Sequence, residues 1–365
     1  MRTDFYLPIL KSKDGEFTAL SKLNEYTKSH MCPLFEISDI EFDNQSRKKP
    51  KTLEEHLYNF CHKKFAKKWA RDNSFIDTGL LKNKEINGLT CVEYVYKQLA
   101  SQVLIPMKPV PVAHLNETVS SLSGLKNVLA GHSISELAIR IQIADLYDPE
   151  LELKLSDLLQ ALTMDVANTH LIFDLADSDF TEYEDFADGI MAQLEYFPQF
   201  KLWKSFTLCG GAFPKTNILQ KGVNSVARTD WKLYKLVAER LADVAFGRTI
   251  NYGDYSIVAP GHFEFDPTKM SRSANIRYTL DDIWFVIKGS ALKTTEDFKQ
   301  YFSQAEDIYT ADFYAGEDFS QGDLHLKQCY LRLIKAGSPT VWTWVGNNHH
   351  FTKVVGDLFS NPAYA

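Results

Sequence analysis

The chain has 365 residues, 45% of them hydrophobic and 24% charged, with 40 Lys and Arg against 47 Asp and Glu for a formal charge of −7. This composition excludes collagen, a disulfide scaffold and a disordered chain, and the acidic balance speaks against a protein that coats nucleic acid along its whole length. No stretch reaches the ~20 uncharged apolar residues that cross a bilayer.

Asp4 lies where a signal peptide would need a basic start and an apolar core. Cys32, Cys61, Cys91, Cys209 and Cys329 are odd in number and never spaced as CxxC. A cytoplasmic protein without a structural zinc site or a membrane partner is expected.

In chain order, short runs rich in β-branched and aromatic residues appear at Tyr6–Leu10, Pro33–Ile37, Ser74–Thr78 and Pro109–Ala113, then at Leu137–Ile141, His170–Leu175, Ser205–Cys209 and Tyr255–Ala259. Helical periodicity follows most of them, at Phe17–Leu23, Leu53–Trp69, Val92–Leu99, Leu151–Leu162, Tyr183–Leu194 and Trp231–Leu241. Strands alternating with helices pair in parallel through right-handed crossovers. Eight such units predict an α/β fold, a (β/α)8 TIM-barrel-like unit. An open sheet would more often carry GxGxxG or GxxxxGK[ST], and neither is present.

The last third departs from this beat. Ala274–Thr279 and Ile283–Lys288 predict a hairpin, Glu296–Ile308 and Leu324–Lys335 two helices, and Val341–Val345 a strand before a polar turn from Gly346 to His350. Residues 1–270 are therefore assigned to the barrel. Residues 271–365 are assigned to a C-terminal hairpin and helical cap packed on it as one structural unit.

Charge is uneven. Between Arg47 and Asp72 nine Lys or Arg stand against three Asp or Glu, while Tyr58, Cys61, Phe65 and Trp69 form an apolar stripe at helical spacing. A solvated helix face and a nucleic-acid landing strip both fit this Arg47–Arg71 helix.

Active residues of such barrels sit at the C-terminal strand ends. Those positions hold Lys11, Glu36, Asp77, His114, Arg140, Asp174 and the Cys209-Gly210-Gly211 run. Charges buried together at one rim must pair, and the set can either bind a polar ligand and move a proton or plug the barrel as a self-satisfied network. Gly210 and Gly211 precede Lys215 after the seventh strand, where phosphate sites of these barrels often form; a tight turn is the plainer use of two glycines. Neither HExxH nor GxSxG occurs, and Cys209 reads as a packing residue.

Tyr6-Leu7-Pro8-Ile9-Leu10-Lys11, Pro33-Leu34-Phe35-Glu36-Ile37, Gly210-Gly211-Ala212-Phe213-Pro214, Gly253-Asp254-Tyr255, Ala274-Asn275-Ile276-Arg277-Tyr278, Lys288-Gly289, Ser320–Asp323 and Trp344–Thr352 occur in an order that resembles the "beta protein" family of phage and bacterial sequences. The resemblance runs over nearly the whole chain. It implies an α/β-barrel-like protein of phage–host conflict, with no catalytic assignment to carry over, and it draws attention to Arg277, Tyr278, Lys288, His349 and His350.

The expected function is binding of an anionic, phosphate-bearing ligand at the barrel mouth by Lys11, Arg140, Gly210, Gly211, Arg277, Lys288 and His350. Glu36, Asp77 and Asp174 are the acid–base candidates. As an enzyme it would hydrolyse phosphoesters or nucleotides, with Mg2+ or Mn2+ on the carboxylates as the cofactor such chemistry takes. The alternative is a non-enzymatic recognition or scaffold subunit for a phage protein or an operon-encoded toxin partner.

Overall fold

The computed structural model describes residues 3–40, 52–101, 107–176, 178–261 and 272–359. The chain forms two compact units, one of residues 1–12, 31–210 and 230–254, the other of residues 13–30, 211–229 and 255–365. The sequence reading divides the chain once, at 270/271, which lies outside the described residues.

The first unit is a closed barrel of eight parallel strands in chain order. They are β1 (Leu7–Leu10), β2 (Leu34–Glu36), β3 (Phe75–Asp77), β6 (Val110–Ala113), β7 (Leu137–Gln142), β8 (Thr169–Asp174), β9 (Ser205–Gly210) and β11 (Asn251–Asp254). A small ribbon, β4 (Glu85–Ile86) and β5 (Leu89–Thr90), follows β3. The barrel closes where Leu7 and Pro8 of β1 pair with Gly253 and Asp254 of β11. Its strands are buried almost throughout, which is why they read as continuous apolar runs rather than as alternating ones.

The predicted eighth strand, Tyr255–Ala259, is corrected to Asn251–Asp254. Asn, Gly and Asp are poor strand formers, and the apolar run beyond them misleads. Gly253 is required by contact: a Cβ there would strike Cys209 Sγ and the Leu7 carbonyl on the two flanking strands.

The basic helix is also corrected. An α-helix over Leu53–Asn59 runs into a π-helix over Phe60–Trp69, ended by the left-handed Ala70, whose amide donates to the Phe65 carbonyl. Phe60, Cys61, Phe65 and Trp69 are buried, at spacings of four and five that suit i→i+5 bonding, whereas Tyr58 is exposed and stacks on His62. Lys63 and Lys67 are exposed, while Lys64 donates to the Ser12 carbonyl. Arg47, Lys48, Lys49 and Lys51 lie outside the described residues.

Thr163 ends the helix Leu151–Leu162 at φ 56°, ψ 45°, a left-handed conformation that a β-branched residue adopts under strain. Thr163 is exposed. Thr163→Gly is expected to stabilise the protein by about 1 kcal/mol, read as a higher urea midpoint at unchanged slope. A lower midpoint would contradict the strain.

The second unit contains a three-stranded antiparallel sheet in the order β10 (Gly222–Ala227), β13 (Ile283–Ala291), β12 (Ser273–Thr279). The predicted β12–β13 hairpin is present; β10 alternates half-buried and exposed residues and carries little apolar signal. Val341–Val345 and the Gly346–His350 turn are corrected to one helix, Pro339–Phe359. Pro339 suits a first helical turn, and burial at Trp342, Val345, His349, Val354 and Leu358 follows helical spacing.

That helix buries four consecutive polar residues, and each finds partners from distant sequence. Asn347 accepts from Ser256 Oγ at 2.5 Å, and Asn348 donates to the Ala19 carbonyl and accepts from the Gly322 amide. His349 Nδ1 meets Asp323 Oδ2 and its Nε2 meets the Thr279 carbonyl, both at 2.9 Å, while His350 Nδ1 meets Thr279 Oγ1. Buried polar groups persist where they are paired in this way. All five cysteines are buried and unbonded to one another.

Candidate functional site

Four strand ends of the barrel bring one guanidinium and three carboxylates together. Arg140 lies two residues before the end of β7, while Glu36, Asp77 and Asp174 close β2, β3 and β8. Arg140 NH1 donates to Glu36 Oε2 at 2.8 Å and Asp77 Oδ2 at 2.7 Å; its Nε and NH2 donate to Asp174 Oδ2 at 2.9 and 2.6 Å. All four side chains are buried. The structure thus brings Glu36, Asp77, Arg140 and Asp174 of the strand-end set together, with Arg140 as their hub.

Backbone amides complete the carboxylates. Ala176 N–H donates to Asp174 Oδ1 and Gly79 N–H to Asp77 Oδ1. Ser12 and Ala176, just beyond β1 and β8, have φ of 58° and 49°. Left-handed backbone at non-glycine residues is unfavourable, and here it follows the strand that carries Asp174 and the neighbouring strand β1.

His114 follows β6 and extends the cluster. Its Nε2 lies 3.0 Å from Asp77 Oδ1, and its backbone amide donates to Glu117 Oε1. Nδ1 meets no described group, and the side chain is 21% exposed. The second Glu117 oxygen is buried without a partner among the described residues.

Burial pulls the His114 pKa down, but the charge and hydrogen bond of Asp77 outweigh it and raise the imidazole above its ordinary value. Burial pushes the Asp77 carboxyl up, while His114 and Arg140 outweigh it and hold the carboxyl well below the usual range. A Cβ at Gly79 would collide with His114 Nε2 and crowd Asp77, so glycine permits this pairing. Sequence reasoning found His114 at a strand end but gave it no role. The missing signal was spatial, since Asp77 is 37 residues away.

Asp254, at the corrected end of β11, accepts from Tyr6 OH at 2.5 Å and is a further buried strand-end carboxylate. Lys11 is buried beyond β1. Gly210 closes β9, and the Cys209 thiol beside it is pushed far up by burial, so it packs rather than attacks.

The remaining predicted ligand residues belong to the second unit. Gly211 opens its 211–229 segment, Arg277 and Lys288 lie on β12 and β13, and His350 is fully buried. Glu36, Asp77 and Asp174 converge on Arg140 rather than on a shared point. Among the described residues no three His, Cys, Asp or Glu are grouped to hold a metal ion. The residues present do not fit Mg2+ or Mn2+.

The opposite end of the barrel is built for stability. The His170 ring packs among Phe5 and Phe75, with Nδ1 on Ser205 Oγ and Nε2 on Glu136, which pairs with Lys204. Burial lowers the His170 pKa against the pull of Glu136, so the ring is neutral near neutral pH.

Fold and strand-end cluster define an α/β-barrel protein with a buried charge hub and a partly exposed histidine, His114, beside it. The chain belongs to the Beta protein family, whose model matches residues 6–356. A search of curated proteins finds no match. No described helix is long and apolar enough to cross a membrane.

Proposed function

We propose that the C-terminal face of the barrel is a proton-transfer site with His114 as its general base. The observation that carries this reading is the Asp77–His114 pair: one ring nitrogen is held by a buried carboxylate and the other is open. A carboxylate that fixes an imidazole orients it and stabilises the imidazolium formed when the ring accepts a proton. Glu36, Asp77 and Asp174, each engaged by Arg140, act as positioning residues rather than as the proton carriers.

The reaction proposed is hydrolysis of a phosphoester or nucleotide: water loses a proton to His114 Nδ1 as its oxygen bonds to phosphorus, the P–O bond to the leaving oxygen breaks, and the imidazolium returns the proton to that oxygen. The biological setting proposed is phage conflict in the cytoplasm, on the strength of family membership. A second reading, a recognition or scaffold subunit for a phage protein or toxin partner, draws support from how fully Arg140 satisfies the carboxylates.

Turnover of phosphodiesters, phosphomonoesters and nucleotides by wild type and His114→Gln separates them. His114→Gln is expected to fold normally and to lose about a hundredfold to ten-thousandfold in kcat. Because a base works deprotonated and the His114 pKa is raised, wild-type activity should climb with pH above about 6.5. A wild type without turnover, together with a His114→Gln variant that keeps anti-phage activity, would favour the scaffold.

A further inference from the structure

Two half-buried cations of the second unit, Arg277 and Lys288, meet no carboxylate among the described residues. Asn275 of β12 pairs with Lys288 of β13 and Arg277 with Val286, so Arg277 and Lys288 are diagonal neighbours on one face of the sheet. Both are half-buried. Arg277 donates to the Ile257 carbonyl at 2.5 Å, Thr216 Oγ1 at 3.0 Å and Asn275 Oδ1 at 3.1 Å, and its guanidinium lies over the Phe213 ring. Lys288 donates to the Thr216 and Leu219 carbonyls at 2.9 and 2.7 Å.

Every acceptor is neutral. Arg140, by contrast, meets three carboxylates. Two positive charges drawn from water without a counter-ion are costly, and the deficit is met when an anion binds. Burial accordingly pulls Arg277 down to about 10.

Both cations converge on Thr216. Its carbonyl and hydroxyl oxygens are spent as acceptors, which leaves the hydroxyl proton free to donate. The amides of Lys215, Thr216 and Asn217 donate to no described group, and the exposed Lys215 has no ion partner. Beside it Phe213, Leu219, Ile257, Trp284 and Val286 form a buried apolar cluster. Donors backed by two uncompensated charges suit a tetrahedral oxyanion.

We propose that the Lys215–Asn217 loop, backed by Arg277 and Lys288, is a binding site for a phosphate group, free or carried on a nucleotide. The site stands on residues of the second unit alone and does not rest on the chemistry of His114.

Titration calorimetry with inorganic phosphate and with adenosine monophosphate, at matched ionic strength in chloride, tests it. Wild type is expected to bind at least one of them. Tighter binding of inorganic phosphate identifies the free ion, and tighter binding of the monophosphate identifies a nucleotide. Thr216→Val keeps the side-chain shape but removes the hydroxyl donor, and should weaken binding about tenfold. Lys215→Gln, a surface change that leaves folding intact, should weaken it as well. Absence of binding to both probes, or binding unaltered in both variants, overturns the site.

Discussion

Methionine in place of Arg140 is expected to destabilise the protein by about 3–5 kcal/mol at neutral pH. Methionine fills much of the same volume, so the loss is electrostatic rather than a cavity effect. One guanidinium donates to Glu36, Asp77 and Asp174, all buried, and its removal leaves three carboxylates without their shared cation. Taking ions out of water is tolerable only while partners replace the lost hydration.

The pH dependence should weaken. In the wild type Asp77 has a depressed pKa, so its contribution is present above the unfolded value near ~4 and is lost as pH falls through the folded value. In Arg140→Met one of the groups that hold Asp77 down is gone, while His114 and the Gly79 amide remain, so less of that contribution is there to lose. The gap between variant and wild type should therefore narrow as pH falls from neutral to about pH 4. Urea midpoints at the two pH values check this, and equal stability of variant and wild type at neutral pH would defeat it. Combining Arg140→Met with Glu36→Gln, Asp77→Asn and Asp174→Asn should restore much of the loss, because the uncompensated charges go together.

The barrel was legible because strands buried on both faces must be apolar, and helices between them must carry an apolar stripe. Glu36, Asp77, Arg140 and Asp174 were legible as strand-end charges. What strand position could not reveal is the pairing pattern. Arg140 reaches from β7 past β6 to β3 and β2, a distance of 104 residues in sequence to Glu36. Asp254 stayed hidden because Gly253, needed for close strand approach, breaks the very pattern that marks a strand. Tyr58 was drawn into the buried stripe because one α-helical period was carried through to Trp69, whereas the chain changes to a π-helix at Phe60.

The helix Pro339–Phe359 illustrates the other limit. Val341, Trp342 and Trp344 favour strands, and Asn347, Asn348, His349 and His350 look like a solvated turn. They are buried only because Ser256, Ala19, Gly322, Asp323 and Thr279 meet them, and none of those partners is implied by local spacing.

Asp323→Asn is expected to cost about 2–4 kcal/mol, with Asp323→Ala at least as damaging. Asp323 is fully buried and accepts from Tyr278 OH at 2.7 Å, Ser320 Oγ at 2.5 Å and His349 Nδ1 at 2.9 Å. The His349 ring also stacks on Tyr278 with centroids 3.8 Å apart. An asparagine can keep one acceptor, toward Tyr278, but turns an NH2 toward Ser320 and His349, which must then accept instead of donate, and the negative charge that three donors share is gone.

The Ser320 cap on the Asp323 amide survives the change, so a fall in stability reports the side chain and not the loss of the helix start. A double-mutant cycle with Tyr278→Phe isolates one arm of the network. Coupling of about 1 kcal/mol or more is expected, since the two groups share a desolvated hydrogen bond. If Asp323→Asn unfolds at the wild-type urea midpoint, the carboxylate is not what fastens the helix Pro339–Phe359 to β12. The three donors would then have other acceptors at no cost, against the pairing that buried polar groups keep.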